Sequence, residues 1–315
     1  MNYLSELSGP LMAKPPAIPS RTTFCPTSHR HDQFAAGSRH NQGFRQNQKM
    51  DEIDLPQVPP EFLYDYHGIC WWCGDIADSR EHKWKKSEVV ELFGRGEYHG
   101  SVVWGHDDEI DPLRGPKSSG LMFSKSLCAN CNGARSQSFD NAYSGWSHYF
   151  IAHHTEMLTK QEVDFDDVFI GSAEPELPNL ARYYMKHVGC RLAENAARVP
   201  QDIIDYLDGV RDQPQSVLSQ LGIRDTVRAL IEQHGTELMG LWMRPSVANH
   251  SLAVGHLTSF KSAIGIGAIE FLYDVNLNPS VPDRWPGVLV GSRQHLWSHS
   301  EDLYGLGFGG PRISL

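Results

Sequence analysis

The 315-residue chain has no long apolar run and little positive charge: 28 lysines and arginines face 38 acidic residues, a formal net charge of -10. The first shortage excludes a membrane-spanning helix of roughly 18 or more apolar residues. The N-terminus also lacks a basic-then-apolar signal pattern, so the expectation is a cytoplasmic protein with no membrane partner. The second shortage excludes a protein that coats nucleic acid by bulk charge, because general phosphate affinity comes from surplus Lys and Arg. Any nucleic-acid contact must be local. Internal repeats are absent, and the cysteines are few: Cys25, Cys70, Cys73, Cys128, Cys131 and Cys190. With 40% hydrophobic residues the chain has material for one large or two ordinary domains.

Residues 1–57 are rich in Pro, Ser, Gln, Asn, Arg and His without apolar periodicity, which predicts a disordered leader. Met50 is an alternative start, and a basic arm touching DNA is the functional alternative for this segment. Residues 58–160 hold the paired cysteines, and within them 94–120, broken by glycines and a proline, predict a hairpin or long loop. Apolar spacing predicts helices over 178–197, 201–209 and 216–234. Nearer the C-terminus GLWMRPS, HLTSFKSAIGIGAIEFLYDV and GVLVG predict strands, with NLNPSVPDRWPG as loop. The expected fold class is therefore α+β, with 161–315 a mainly helical, partly β region of unassigned role. The literal G-x-G-x-x-G at 305–310 has no room for its helix and is read as tail. Cys25 and Cys190 are read as ordinary thiols.

Cys70-Trp-Trp-Cys73 and Cys128-Ala-Asn-Cys131 each place two thiols on one tight turn. Two such knuckles supply the four sulfurs of a tetrahedral Zn²⁺ site. Four protein sulfurs leave no open coordination position, so the zinc is structural and the chemistry falls to other residues. The 54 residues between Cys73 and Cys128 exceed a plain zinc ribbon, which demands a sizeable insertion.

Glu81-His82 follows the first knuckle and Asn132 the second. The order C-x-x-C, EH, C-x-x-C-N resembles the zinc-bearing HNH endonuclease family, as does the continuation RSQSFDNAY. The resemblance covers about 80 residues. It implies a ββα-metal module, hydrolysis of phosphodiester bonds in double-stranded DNA, and a setting in restriction or phage defence. The residues make chemical sense of that activity. His82, ordinarily titrating near neutrality, suits a general base that activates water. Glu81 and Asn132 offer hard oxygen ligands for a catalytic Mg²⁺ or Mn²⁺. Arg135, one helical turn beyond Asn132, is the expected phosphate clamp. Arg80 and Lys83, with Lys85, Lys86 and Trp84, form the expected DNA-binding lip. Asp140 is a candidate to orient the helix or assist the metal. The segment Leu121–Ser124 departs from the pattern: it has no amide where the family carries its middle Asn. Ser124, His99, His106 or a backbone carbonyl are candidates to replace it.

The alternative is a catalytically inactive, zinc-stabilised nucleic-acid-binding or interaction module, favoured by the missing Asn and the acidic charge. A thiol redox role for Cys70 and Cys73 is disfavoured by the second cysteine pair. The C-terminal region is a candidate surface for a homodimer or an activating protein partner.

Overall fold

Short alternating stretches become strands in this chain, and apolar residues at steps of three and four become helices. A computed structural model describes residues 60–99, 102–106, 109–171, 173–236, 239–244, 246–251, 255–278, 288–289 and 291–299, with backbone strands at 3–7 and 11–13. Most of the expected leader, Met50, Cys25, most of the NLNPSVPDRWPG loop and the glycine tail lie outside the described residues. Two pieces of the leader, β1 (Tyr3–Leu7) and β2 (Leu11–Ala13), are strands, so the expectation of disorder is corrected there. Tyr-Leu-Ser-Glu-Leu does not alternate, and its backbone pairs with the distant β8 (Ser246–Ser251).

Helix α1 (Lys86–Phe93) is followed by β3 (Val103–His106) and β4 (Glu109–Pro112), an antiparallel hairpin inside the insertion between the knuckles. Helix α2 (Gln137–Lys160) buries Phe139, Tyr143, Trp146, Phe150 and Met157, a stripe at helical spacing. It stops at Gln161, whose φ of 51° is left-handed and whose N–H closes on the Met157 carbonyl. Next come β5 (Glu162–Asp164), the short α3 (Phe165–Val168), α4 (Ala173–Glu194) and α5 (Gln201–Leu207). Helix α4 is buried on nearly every side from Leu180 to Leu192, making it the central helix against which α2 packs.

The expected helix over 216–234 is corrected: Val217–Arg224 is β6, and only Asp225–His234 is helical, as α6. Gly222 disfavours a helix, and its missing side chain leaves room for Leu272 and His299, which lie within 3.2 Å of where a Cβ would stand. Then follow β7 (Leu241–Met243), β8 (Ser246–Ser251), β9 (His256–Ile266), β10 (Ile269–Asn276), β11 (Arg293–His295) and β12 (Trp297–His299). The described part of GVLVG forms no strand.

Ten strands make one sheet in the order β12-β6-β10-β9-β7-β2-β3-β4, with β8 joining β9 to β1; β5 and β11 pair separately. All pairings are antiparallel except β12 on β6. Strand β10 shows the period of two: Ile269, Phe271, Tyr273 and Val275 enter the main core, while Leu272 meets Trp242 and Ala263 on the other face. Tyr184 of α4 stacks on Phe271 at 3.9 Å, and this contact seats the central helix on the sheet. The tight β9–β10 turn leans on α2: the Ala268 N–H donates to His154 Nε2, and a Cβ at Gly267 would lie 2.6 Å from that nitrogen. One hydrophobic cluster runs from Cys70 to Leu296, through both the cysteine-bearing segment and the C-terminal region. No described helix is long and apolar enough to cross a membrane.

Candidate metal centre and its surroundings

An antiparallel bridge between Ile69 and Ile76 frames the first knuckle. Gly74, at φ 83°, allows the tight return, and its N–H donates to the Cys70 carbonyl at 2.9 Å. The second knuckle closes through the Asn132 N–H to the Cys128 carbonyl at 3.0 Å, and the Cys131 N–H points at Cys128 Sγ. Three hydrogen bonds lock the knuckles together: Trp71 N–H to the Ser126 carbonyl, Ser79 N–H to the Leu127 carbonyl, and Ala129 N–H to Asp78 Oδ1 at 2.7 Å.

The four sulfurs of Cys70, Cys73, Cys128 and Cys131 consequently lie within 4.8 Å of one another, with Cys73 and Cys128 3.6 Å apart. A tetrahedral zinc with Zn–S bonds of about 2.3 Å requires sulfurs about 3.8 Å apart, so the donor set fits Zn²⁺. Desolvation beside the neighbouring sulfurs pushes the thiol of Cys73, itself an exposed residue, up to about 11, and burial raises Cys131. At Cys128 burial also works upward, but the Cys131 N–H and the neighbouring thiols outweigh it and its pKa is lowered. Four thiolates this close repel one another, and a dication supplies the compensating charge.

Residues 79–83 run antiparallel to 121–127. Phe123 N–H donates to the Glu81 carbonyl at 2.9 Å and Lys83 N–H to the Leu121 carbonyl at 2.8 Å, with an isolated bridge joining His82 and Met122. A single 3-10 turn, Ala134–Ser136, then leads into α2. Alternation along 79–83 turns Glu81 and Lys83 toward α4, where they meet Lys186 at 3.1 Å and Glu194 at 3.4 Å.

His82 is left out of that set. Its Nε2 is buried and has no hydrogen-bond partner among the described residues. Burial, with Lys86 and Lys186 nearby, lowers its pKa and keeps the ring neutral. Asn132 spans the junction: its Nδ2 donates to Ser79 Oγ at 2.8 Å and to the Arg80 carbonyl at 3.0 Å, while Oδ1 is buried without a partner. Asn132 is thereby tied to the chain two residues before His82.

Several expected substrate contacts already have partners within the protein, Arg135 at its surface. Arg135 donates to Cys131 Sγ, lies over the Trp72 ring at 4.5 Å and forms an ion pair with Asp208, so its guanidinium braces the second knuckle. Asp208 also accepts from Trp72 Nε1 at 2.8 Å. Lys83 is held by Glu194, and Lys85 donates to the Asp140 carbonyl and to Ser144 Oγ. Trp84 is fully buried. Of the expected lip, Arg80 and Lys86 remain exposed. Ser124 and His99 are exposed too, and the side chain of His106 lies outside the described residues.

Two buried features escaped sequence reading. Lys186 is 1% exposed and places Nζ 3.1 Å from Glu81 Oε2, 3.1 Å from Asp140 Oδ1 and 3.2 Å from Ser136 Oγ. Its signal was available: Lys186, His187 and Arg191 interrupt the apolar surface of α4, and buried bases require acidic or carbonyl partners. Glu88, fully buried on α1, accepts from the Tyr143 hydroxyl at 3.0 Å, and burial pushes its carboxyl up to about 8. Beside α1 lies a groove of 1580 Å³ whose walls include Lys86, Arg95, Arg114 and Lys117. All four are exposed and none has an ion-pair partner among the described residues. Compared with known proteins, the chain matches no family model, no curated protein and no solved structure.

Proposed function

We propose that the chain is a phosphodiester hydrolase of the HNH kind acting on double-stranded DNA, with its ββα-metal module formed by residues 79–83, residues 121–127 and α2. The observation that carries this reading is the unpartnered Nε2 of His82, held in a segment that the cysteine cluster staples to the turn bearing Asn132. A neutral imidazole in the Nδ1–H tautomer carries a lone pair on Nε2 that can take a proton from water, and the lowered pKa keeps the ring neutral at neutral pH. In the groove, which Glu91, Glu97 and Asp111 also line, the exposed Lys86, Arg95, Arg114 and Lys117 offer local phosphate contacts.

The expected catalytic Mg²⁺ or Mn²⁺ meets a mixed fit. Asn132 Oδ1, a buried carbonyl oxygen without a partner, suits a hard cation. Glu81 does not, because its carboxylate is already paired with Lys186. The residues present therefore do not complete a divalent-ion site at Glu81. That same pair favours a second reading, a zinc-stabilised DNA-binding module without catalysis.

Supercoiled plasmid incubated with zinc-loaded protein, with Mg²⁺, with Mn²⁺ and without either, separates the two readings. Cleavage by the wild type, reduced at least 100-fold in a His82→Ala variant of equal zinc content, is the expected result. Plasmid binding without cleavage under every condition would establish the binding module instead.

A further inference from the structure

We propose that Lys186 is the resident cation of the Glu81 site: its ammonium holds the position between Glu81 and Asp140 that a divalent ion would need, so the protein takes no divalent metal there while Lys186 is in place. The inference rests on the packing of these side chains and is independent of the nuclease reading.

The ammonium is saturated. It has three N–H donors, and three acceptors surround it: Glu81 Oε2 at 3.1 Å, Asp140 Oδ1 at 3.1 Å and Ser136 Oγ at 3.2 Å. A Mg²⁺ or Mn²⁺ ion draws oxygen ligands to about 2.1 Å and keeps several waters. A pocket closed around an ammonium has space for neither the ion nor its waters.

Charge leads to the same conclusion. The two carboxylates face Lys186 between them, and Lys85, bound to the Asp140 carbonyl, adds a second positive charge beside them. With both carboxylates ionised the set is neutral before any metal arrives, and a dication would leave an uncompensated double charge in a buried place.

Lys186 is also not free to withdraw. Tyr183, Met185 and His187, its neighbours on α4, are buried, and Tyr183 stacks on Tyr143 of α2 at 3.8 Å. The cation is therefore a fixed part of the central helix and comes from a segment 105 positions beyond Glu81. The site belongs jointly to the cysteine-bearing segment and to α4.

The test reads Mn²⁺ binding by electron paramagnetic resonance on zinc-loaded full-length protein, apart from any cleavage. Wild type is expected to show no Mn²⁺ uptake that Glu81→Gln removes. Lys186→Ala, checked for folding by zinc content and circular dichroism, is expected to take up one Mn²⁺. The double variant Lys186→Ala/Glu81→Gln is expected to lose it. If wild type binds one Mn²⁺ and Glu81→Gln abolishes that binding, the proposal is overturned, even should Lys186→Ala fail to fold. A folded Lys186→Ala that binds no Mn²⁺ overturns it equally.

Discussion

Glu88 holds a proton at neutral pH inside the fold, and this has a measurable consequence. Its folded pKa, about 8, stands above the ordinary 4.5, because burial disfavours the charged carboxylate more than the Tyr143 hydroxyl and the Lys85 N–H favour it. The folded state thus binds a proton that the unfolded state releases between those values. The stability this contributes is complete below pH 4.5 and is lost as the pH rises toward about 8. Glu88→Gln resembles the protonated form and lacks that decline. Its melting temperature relative to wild type is expected to rise steadily from pH 5 to pH 8 and to level off above; a pH-independent difference would mean that Glu88 titrates normally. Residue identities made the cysteine set legible, because each knuckle is local in sequence. The partners of Glu81, Lys83 and Arg135 were not legible: Lys186, Glu194 and Asp208 come from α4 and from the end of α5, more than 70 positions away.

Among the elements, α4 governs how the first knuckle sits. A Cβ on Gly189 would lie 2.4 Å from Trp71 Cη2, a rigid ring next to Cys70, so glycine there lets the helix and the knuckle touch. In an ordinary helix Gly→Ala gains about 1 kcal/mol. Here the overlap costs about 1–3 kcal/mol and moves Trp71, so the loss prevails. Gly189→Ala is expected to lower both the melting temperature and the zinc affinity. Gly145→Ala on α2, where the nearest atom is Phe169 Cε1 at 3.3 Å, is expected to be close to neutral. Calorimetry and competition with a chromophoric chelator check both, and equal effects at the two positions would count against the knuckle contact. Helix and strand were legible where periodicity ran unbroken, as in α4, α5, β9 and β10. The first half of 216–234 was not: Val217, Leu221 and Ile223 fit either period locally, and only pairing with β10 and β12 decides for a strand.

For the whole molecule, the continuous core makes the sulfur cluster a matter of global stability. One zinc per chain is expected by elemental analysis. Its removal, or Cys73→Ser, is expected to lower the single melting transition by about 10 °C or more, since structural zinc contributes several kcal/mol or more. A separate early transition confined to one part of the chain would show instead that the knuckles melt alone. An α+β composition was legible from the alternation of patterns. The ten-stranded sheet was not, because its strands come from both ends of the chain and from the insertion, and only long-range pairing joins them.

Lys186 also sets an order on biosynthesis. Glu81 and Asp140 are synthesised before Lys186, and until α4 docks they have Lys85 but not the buried ammonium beside them. The front half is accordingly expected to bury this pair only once the central helix has docked, which pulsed hydrogen exchange during refolding would read as simultaneous protection of residues 79–83 and α4.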